Sequence, residues 1–119
     1  MAAPNIVNVA TITGKTAVLA VTTSATAIVT NSAASGKVFK INCLVIANID
    51  GSASADITVD LYRSSTAYKL ANTIAVPADA SFIAIGKDTP IYLEEGDTLR
   101  VTASADGDLM AIASYEEIS

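Results

Sequence analysis

A chain of 119 residues with a net charge of −5 is long enough for one core of its own, and its scattered lysines and arginines build no stripe for phosphate, which argues against nucleic acid and anionic membranes as partners. The absence of histidine excludes Ser-His-Asp and Cys-His catalysis and histidine-based zinc sites, and the single cysteine, Cys43, allows no intrachain disulfide. Apolar residues make up 51% of the chain but charged residues only 16%, so the surface is poor in charge for a soluble monomer, and part of it is expected to be hidden in an assembly.

In chain order, Asn5 to Thr13 alternates and predicts a first strand, and residues 1–8, which overlap its start, are read as an N-terminal arm. Gly14-Lys15 reads as a turn. Thr16 to Val21 and Ala25 to Thr30 read as short strands around Thr22-Thr23-Ser24, and Asn31 to Gly36 as a loop. Val38 to Ile49 is the longest apolar strand. Phe39, Ile41, Cys43 and Val45 are expected on its buried face, and the loss of alternation from Leu44 to Ile46 predicts that both faces are covered there. After the turn Asp50 to Ser54, the strand Asp56 to Arg63 is expected to return as a hairpin, with Ile57, Val59 and Leu61 inward and Asp56 and Asp60 as solvated acids outward.

Tyr68 to Val76 and Ser81 to Ile85 follow, ended by Pro77-Ala78-Asp79 and Gly86-Lys87-Asp88. Ile91 to Leu93 and Thr98 to Ser104 flank the acidic turn Glu94-Glu95-Gly96-Asp97. Gly96 is suited to positive φ there, and Asp97 can bond its own backbone. Leu99, Val101 and Ala103 then share one face. Asp106-Gly107-Asp108 turns the chain into Leu109 to Glu116. No segment has a helical period. Eight to ten short strands over residues 1–119 predict a single all-β domain, an antiparallel two-sheet β-sandwich of the jelly-roll kind.

The chemistry-bearing residues are few. Cys43 has no base beside it and reads as a small core residue. Asp56 and Asp60 on one strand face are roughly 13 Å apart, too far for a glycosidase pair. Glu94, Glu95 and Asp97, and Asp106 with Asp108, offer oxygens for calcium but lack the regular spacing of a loop that holds it, and turn geometry accounts for them. Tyr62 and Tyr68, close in sequence, could stack a sugar. Together with Tyr92 and Tyr115 they read better as anchors of subunit contacts. No catalytic, cofactor-binding or metal-ligating set is assigned.

The segments Gly36 to Ile41, Asn48 to Ala53, Ile57 to Tyr62, Ile74 to Ala80, Ile91 to Asp97 and Ser114 to Glu117 together resemble small virion structural proteins of tailed phages, most closely those of marine and cyanobacterial phages. The Leu-x-x-Gly-Asp turn among them also occurs in unrelated jelly rolls. The resemblance implies a non-enzymatic sandwich, trimeric, assembled in the host cytoplasm into the virion. It implies the major capsid protein or other virion proteins as partners, either as a capsid decoration (cement) protein or as a neck or tail component. A carbohydrate- or receptor-binding module is the alternative. A protein of the host cytoplasm needs no signal peptide, and the first residues, Met1-Ala2-Ala3-Pro4-Asn5, lack the basic start of one.

Overall fold

The computed structural model describes residues 9–119, so the arm assigned to residues 1–8 lies outside the described residues. The described chain contains no helix and forms nine strands: β1 (Ile12–Ala20), β2 (Thr26–Thr30), β3 (Val38–Asn48), β4 (Ala55–Arg63), β5 (Thr66–Val76), β6 (Ser81–Ile85), β7 (Ile91–Leu93), β8 (Thr98–Ala103) and β9 (Leu109–Ile118). They pair antiparallel into two sheets. Sheet A has the order β1-β9-β3-β6, with β7 also on β3, and sheet B the order β2-β8-β4-β5. The expected all-β two-sheet sandwich is therefore the observed fold.

The core lies between the sheets. Sheet A contributes Ile41, Leu44 and Ile46 of β3, Ile85, Leu93, and Ala111 and Ala113 of β9; sheet B contributes Ile57, Val59, Leu99 and Val101. Burying each of the larger side chains stabilises the fold by about 1.5–3 kcal/mol relative to exposure. The alternation read in β8 holds, with Leu99 and Val101 fully buried and Ala103 nearly so.

Of the first strand read over Asn5 to Thr13, residues 5–8 lie outside the described residues and Val9 to Thr11 are not strand, so the strand begins at Ile12. Three further expectations change. Gly14-Lys15 is no turn: both residues lie within β1, which pairs with β9 without interruption from Ile12↔Ile118 to Ala20↔Met110. Nothing lies within 4 Å of a side chain built at Gly14, and the backbone stays extended. The hairpin of β3 with β4 does not form. β3 pairs with β9, β6 and β7, whereas β4 pairs with β5 and β8. Both strands carry a buried face, and the segment between them carries the chain across the core from one sheet to the other. The true hairpin is β4 with β5, closed by Ser64 and Ser65 at φ 51° and 63°. The third change concerns the phase of β3. A bulge between Ile41 and Cys43 shifts its register on β9. Phe39 and Ile41 point inward before it, Leu44, Ile46 and Asn48 after it. Cys43 and Val45, expected in the core, are half-buried on the outer face instead.

Two buried asparagines fasten opposite ends of the sandwich. Asn31 Nδ2 donates to the carbonyls of Lys37 at 2.9 Å and Leu93 at 3.0 Å, and its Oδ1 accepts from Ser35 Oγ at 2.5 Å. Asn48 Nδ2 donates to the carbonyls of Ala53 at 3.0 Å and Val76 at 2.9 Å, and its Oδ1 accepts from the Asp50 N–H at 2.9 Å. Each satisfies carbonyls that the turns leave free.

Candidate interaction surface

Most of the acidic groups singled out in the sequence are engaged in holding the fold. Asp60, expected as a solvated acid, is buried, and Arg100 on the neighbouring β8 donates to it from Nε at 2.9 Å and Nη2 at 3.3 Å. The same guanidinium lies 4.0 Å over the Tyr62 ring. Asp56 is half-buried on the same outer face of sheet B.

The acidic turn is also taken up by the fold: Arg63 binds Asp97 and Glu94 together, and Glu95 caps the Gly36 N–H. Asp97 accepts from the Glu94 N–H at 2.8 Å, the local bond expected of it, and from Arg63 Nε at 2.7 Å and Nη2 at 2.5 Å. Glu94 accepts from Arg63 Nη2 at 2.8 Å, and Glu95 from the Gly36 N–H at 2.9 Å. Burial pushes the Asp97 carboxyl up, but the Arg63 hydrogen bond, the Glu94 N–H and the Arg63 charge together hold it below the usual carboxylate range. Gly96 sits at φ 90°, as its place in the turn requires. Asp106 accepts from the Thr23 N–H at 2.8 Å. Near the other chain end, Glu117 joins Lys15 at 2.8 Å and Lys37 at 2.6 Å, and the hydrogen bonds from these two lysines lower its carboxyl. The Arg63 and Glu117 ion pairs carried no sequence signal, because their partners are far apart in the chain.

The tyrosines do not form a sugar platform. Tyr62 faces Ala67 in the β4–β5 ladder and Tyr68 faces Leu61, so the two rings point to opposite sides of sheet B. Tyr115 packs against Phe39, with ring centroids 5.5 Å apart. Tyr68 and Tyr92 stay exposed.

What remains is the outer face of sheet A. Val18 of β1 lies opposite Ile112 of β9, Ile112 opposite Val45 of β3, and Val45 opposite Ile83 of β6. These four side chains form one straight apolar row across the sheet. Val18 is 73% exposed, Ile83 64% and Ile112 46%. The next row runs Ala20, Met110, Ala47 and Ser81, and the groove between β1 and β9 is lined by Val18, Ala20, Met110 and Ile112. No charged residue lies in either row. A side chain of this kind in water forgoes the burial that stabilises the core, so a contiguous row of them is the pattern of a candidate interaction surface. The sequence held a signal for it: β9 reads Leu109-Met110-Ala111-Ile112-Ala113, apolar on both faces, as does the Leu44 to Ile46 stretch.

No family model matches the chain, and no curated protein does. Among solved structures, the chain is similar to a protein of Bacillus endospore appendages, described as a novel family of disulfide-linked pili. The TM-score is 0.52 at 15% identity, over 92% of this chain and 88% of the other. It is also matched to a pentameric capsid protein isolated from metagenomic phage sequences, with a TM-score of 0.45 at 17% identity, over 87% of this chain and 60% of the other. At such identities, the likeness to the appendage protein is one of fold.

Proposed function

We propose that this chain is a non-enzymatic structural subunit of a virion, a capsid decoration protein of a tailed-phage head. The carrying observation is the apolar row Val18, Ile112, Val45 and Ile83, solvent-facing on a domain whose buried polar groups all serve the fold. A protein that works through such a face works by adhesion. Small contacts multiply with copy number and symmetry into a stable lattice.

The strand orders β1-β9-β3-β6 and β2-β8-β4-β5 support reading the sandwich as a jelly roll, an architecture widely used in viral capsids and in lectins. That analogy raises the virion reading without selecting it, because folds host many functions. The sequence resemblance to tailed-phage virion proteins adds further support to it. In this reading the subunit is made in the host cytoplasm, self-associates, and binds the major capsid protein. Neck or tail is the alternative position in the particle.

Quantitative mass spectrometry of purified virions tests the reading. A copy number on the order of hundreds, as a shell lattice demands, is expected for decoration. A copy number of a few to a few dozen would move the subunit to the neck or tail, and absence from the particle would overturn the virion assignment.

A further inference from the structure

We infer that the outer face of sheet A binds the same face of a second copy of this chain, about a two-fold axis that runs parallel to the strands between β9 and β3. This rests on the reading of the chain as a self-associating structural subunit and names the contact that reading leaves open.

The argument starts from the rows. A two-fold axis in the plane of a face-to-face contact exchanges the two sides of the axis and keeps each residue at its own height along the strands. With the axis between β9 and β3, each β9 residue meets its own β3 ladder partner from the second copy, and each β1 residue meets β6 or β7. Ile112 then lies over Val45, and Val18 over Ile83, both apolar pairs. Met110 lies over Ala47, large against small. Further along the strands, Glu116 of β9 and Lys40 of β3 are ladder partners, and Lys40 is also opposite Tyr92 of β7. They share the outer face, since their neighbours Phe39 and Ile41 are buried. Among the described residues neither Glu116 nor Lys40 is in an ion pair. The axis sets the Glu116 carboxylate of one copy over the Lys40 ammonium of the other, twice per pair. In the same row the exposed Tyr92 ring falls over Gly14 of the other copy, where the added side chain of any other residue would have open space. Charge and size thus both match under one operation.

The extent of the face is also sufficient. Four strands about 4.8 Å apart, over the nine residues of β1 at about 3.4 Å each, project to roughly 600 Å². Side-chain relief brings that towards the ~800 Å² that each partner gives to a stable interface. Aligned sheets pack face to face about 10 Å apart, the spacing at which side chains of these sizes interdigitate. The sheet edges are the weaker places for a second copy. Among the described residues β5 pairs only with β4, carries Lys69 and is distorted by Thr73 at φ 49°, and the other long edge strand, β1, carries Lys15, devices that discourage edge pairing.

Sedimentation velocity of the full chain at about 100 μM, far above the Kd expected of a standard-size interface, tests the contact. The expected species has twice the 12.1 kDa chain mass. Val18→Asp, at the most exposed member of the row, should give the chain mass with an unchanged circular dichroism spectrum and the melting curve of wild type diluted to single chains. Lys40→Glu and Glu116→Lys should each be monomeric alone. An equimolar mixture of these two variants should recover the paired mass, because each charge then meets its opposite across the axis. An intrachain role for Lys40 and Glu116 would not produce that rescue by mixing. A wild-type monomer, a species of three chains, or unchanged pairing in folded Val18→Asp would overturn the inference. A wild-type monomer that still occupies virions at high copy number would do so while leaving the structural role intact.

Discussion

On the outer face of sheet B, polar groups find one another: Arg100 bonds Asp60 and covers Tyr62, the Thr73 N–H donates to Thr58 Oγ1, and Ser104 Oγ, just past β8, accepts from the Asp56 N–H. On the outer face of sheet A, the equivalent positions hold Val18, Ile112, Val45 and Ile83 in one row, with Val45 half-buried and the other three exposed. Both faces obey the same period of two, so strand geometry does not account for the difference. A sheet whose outward residues satisfy each other is finished as a monomer. A sheet whose outward residues are apolar is finished only when something covers it. Substitutions on the first face should therefore cost stability and leave association alone, and substitutions on the second should do the reverse.

The largest effect is expected on the sheet B side. Arg100→Met leaves the buried Asp60 carboxylate unpaired and should cost about 3 kcal/mol. That is a fall in Tm of roughly 12 °C by calorimetry, at an unchanged association state. Next comes Asn31→Ala, which strips the Lys37 and Leu93 carbonyls of their donor and should cost about 2 kcal/mol in urea titrations. Gly96→Ala forces a side chain into φ 90° and should cost about 1–2 kcal/mol, although space around it is open.

Acid should weaken the same fasteners. The Asp97 and Glu117 carboxyls sit below their ordinary values when folded, so they stabilise the fold above the unfolded value near pH 4 and lose that contribution as pH falls through the folded values. The Tm should stay level from about pH 7 to 5 and drop below about pH 4. A Tm that rises on acidification over that lower range would contradict the assignment of these ion pairs.

Much of the sandwich was legible in the chain. Turn residues marked the strand ends, and strict alternation in Thr98 to Ala103 named its buried face correctly. Gly96 has the positive φ that its place in the acidic turn predicts, whereas the grip of Glu94 and Asp97 on Arg63 has no local signal. The rest depended on three-dimensional pairing. Alternation says which residues share a face but not which strand lies beside which, so β3 was joined to β4 across what is the core. One bulge after Ile41 reversed the phase of β3 and moved Cys43 and Val45 outward. The apolar face was concealed for the same reason. Its members come from four strands spread from Val18 to Ile112, and each looks like core until the register sets them side by side. Arg100 with Asp60 and Arg63 with Asp97 were hidden by their separation in the chain.

The smallest stability effect should accompany the largest change in behaviour. Ile112→Glu touches an exposed position and should shift stability by no more than about 0.5 kcal/mol. Measuring the solution mass of this variant beside Arg100→Met is therefore the most direct test of the contrast between the two faces. Ile112→Glu is expected to have the mass of one chain and to melt like wild type diluted to single chains, whereas Arg100→Met melts early and keeps the mass of two. An Ile112→Glu protein that remains paired, or that unfolds as Arg100→Met does, would contradict the account.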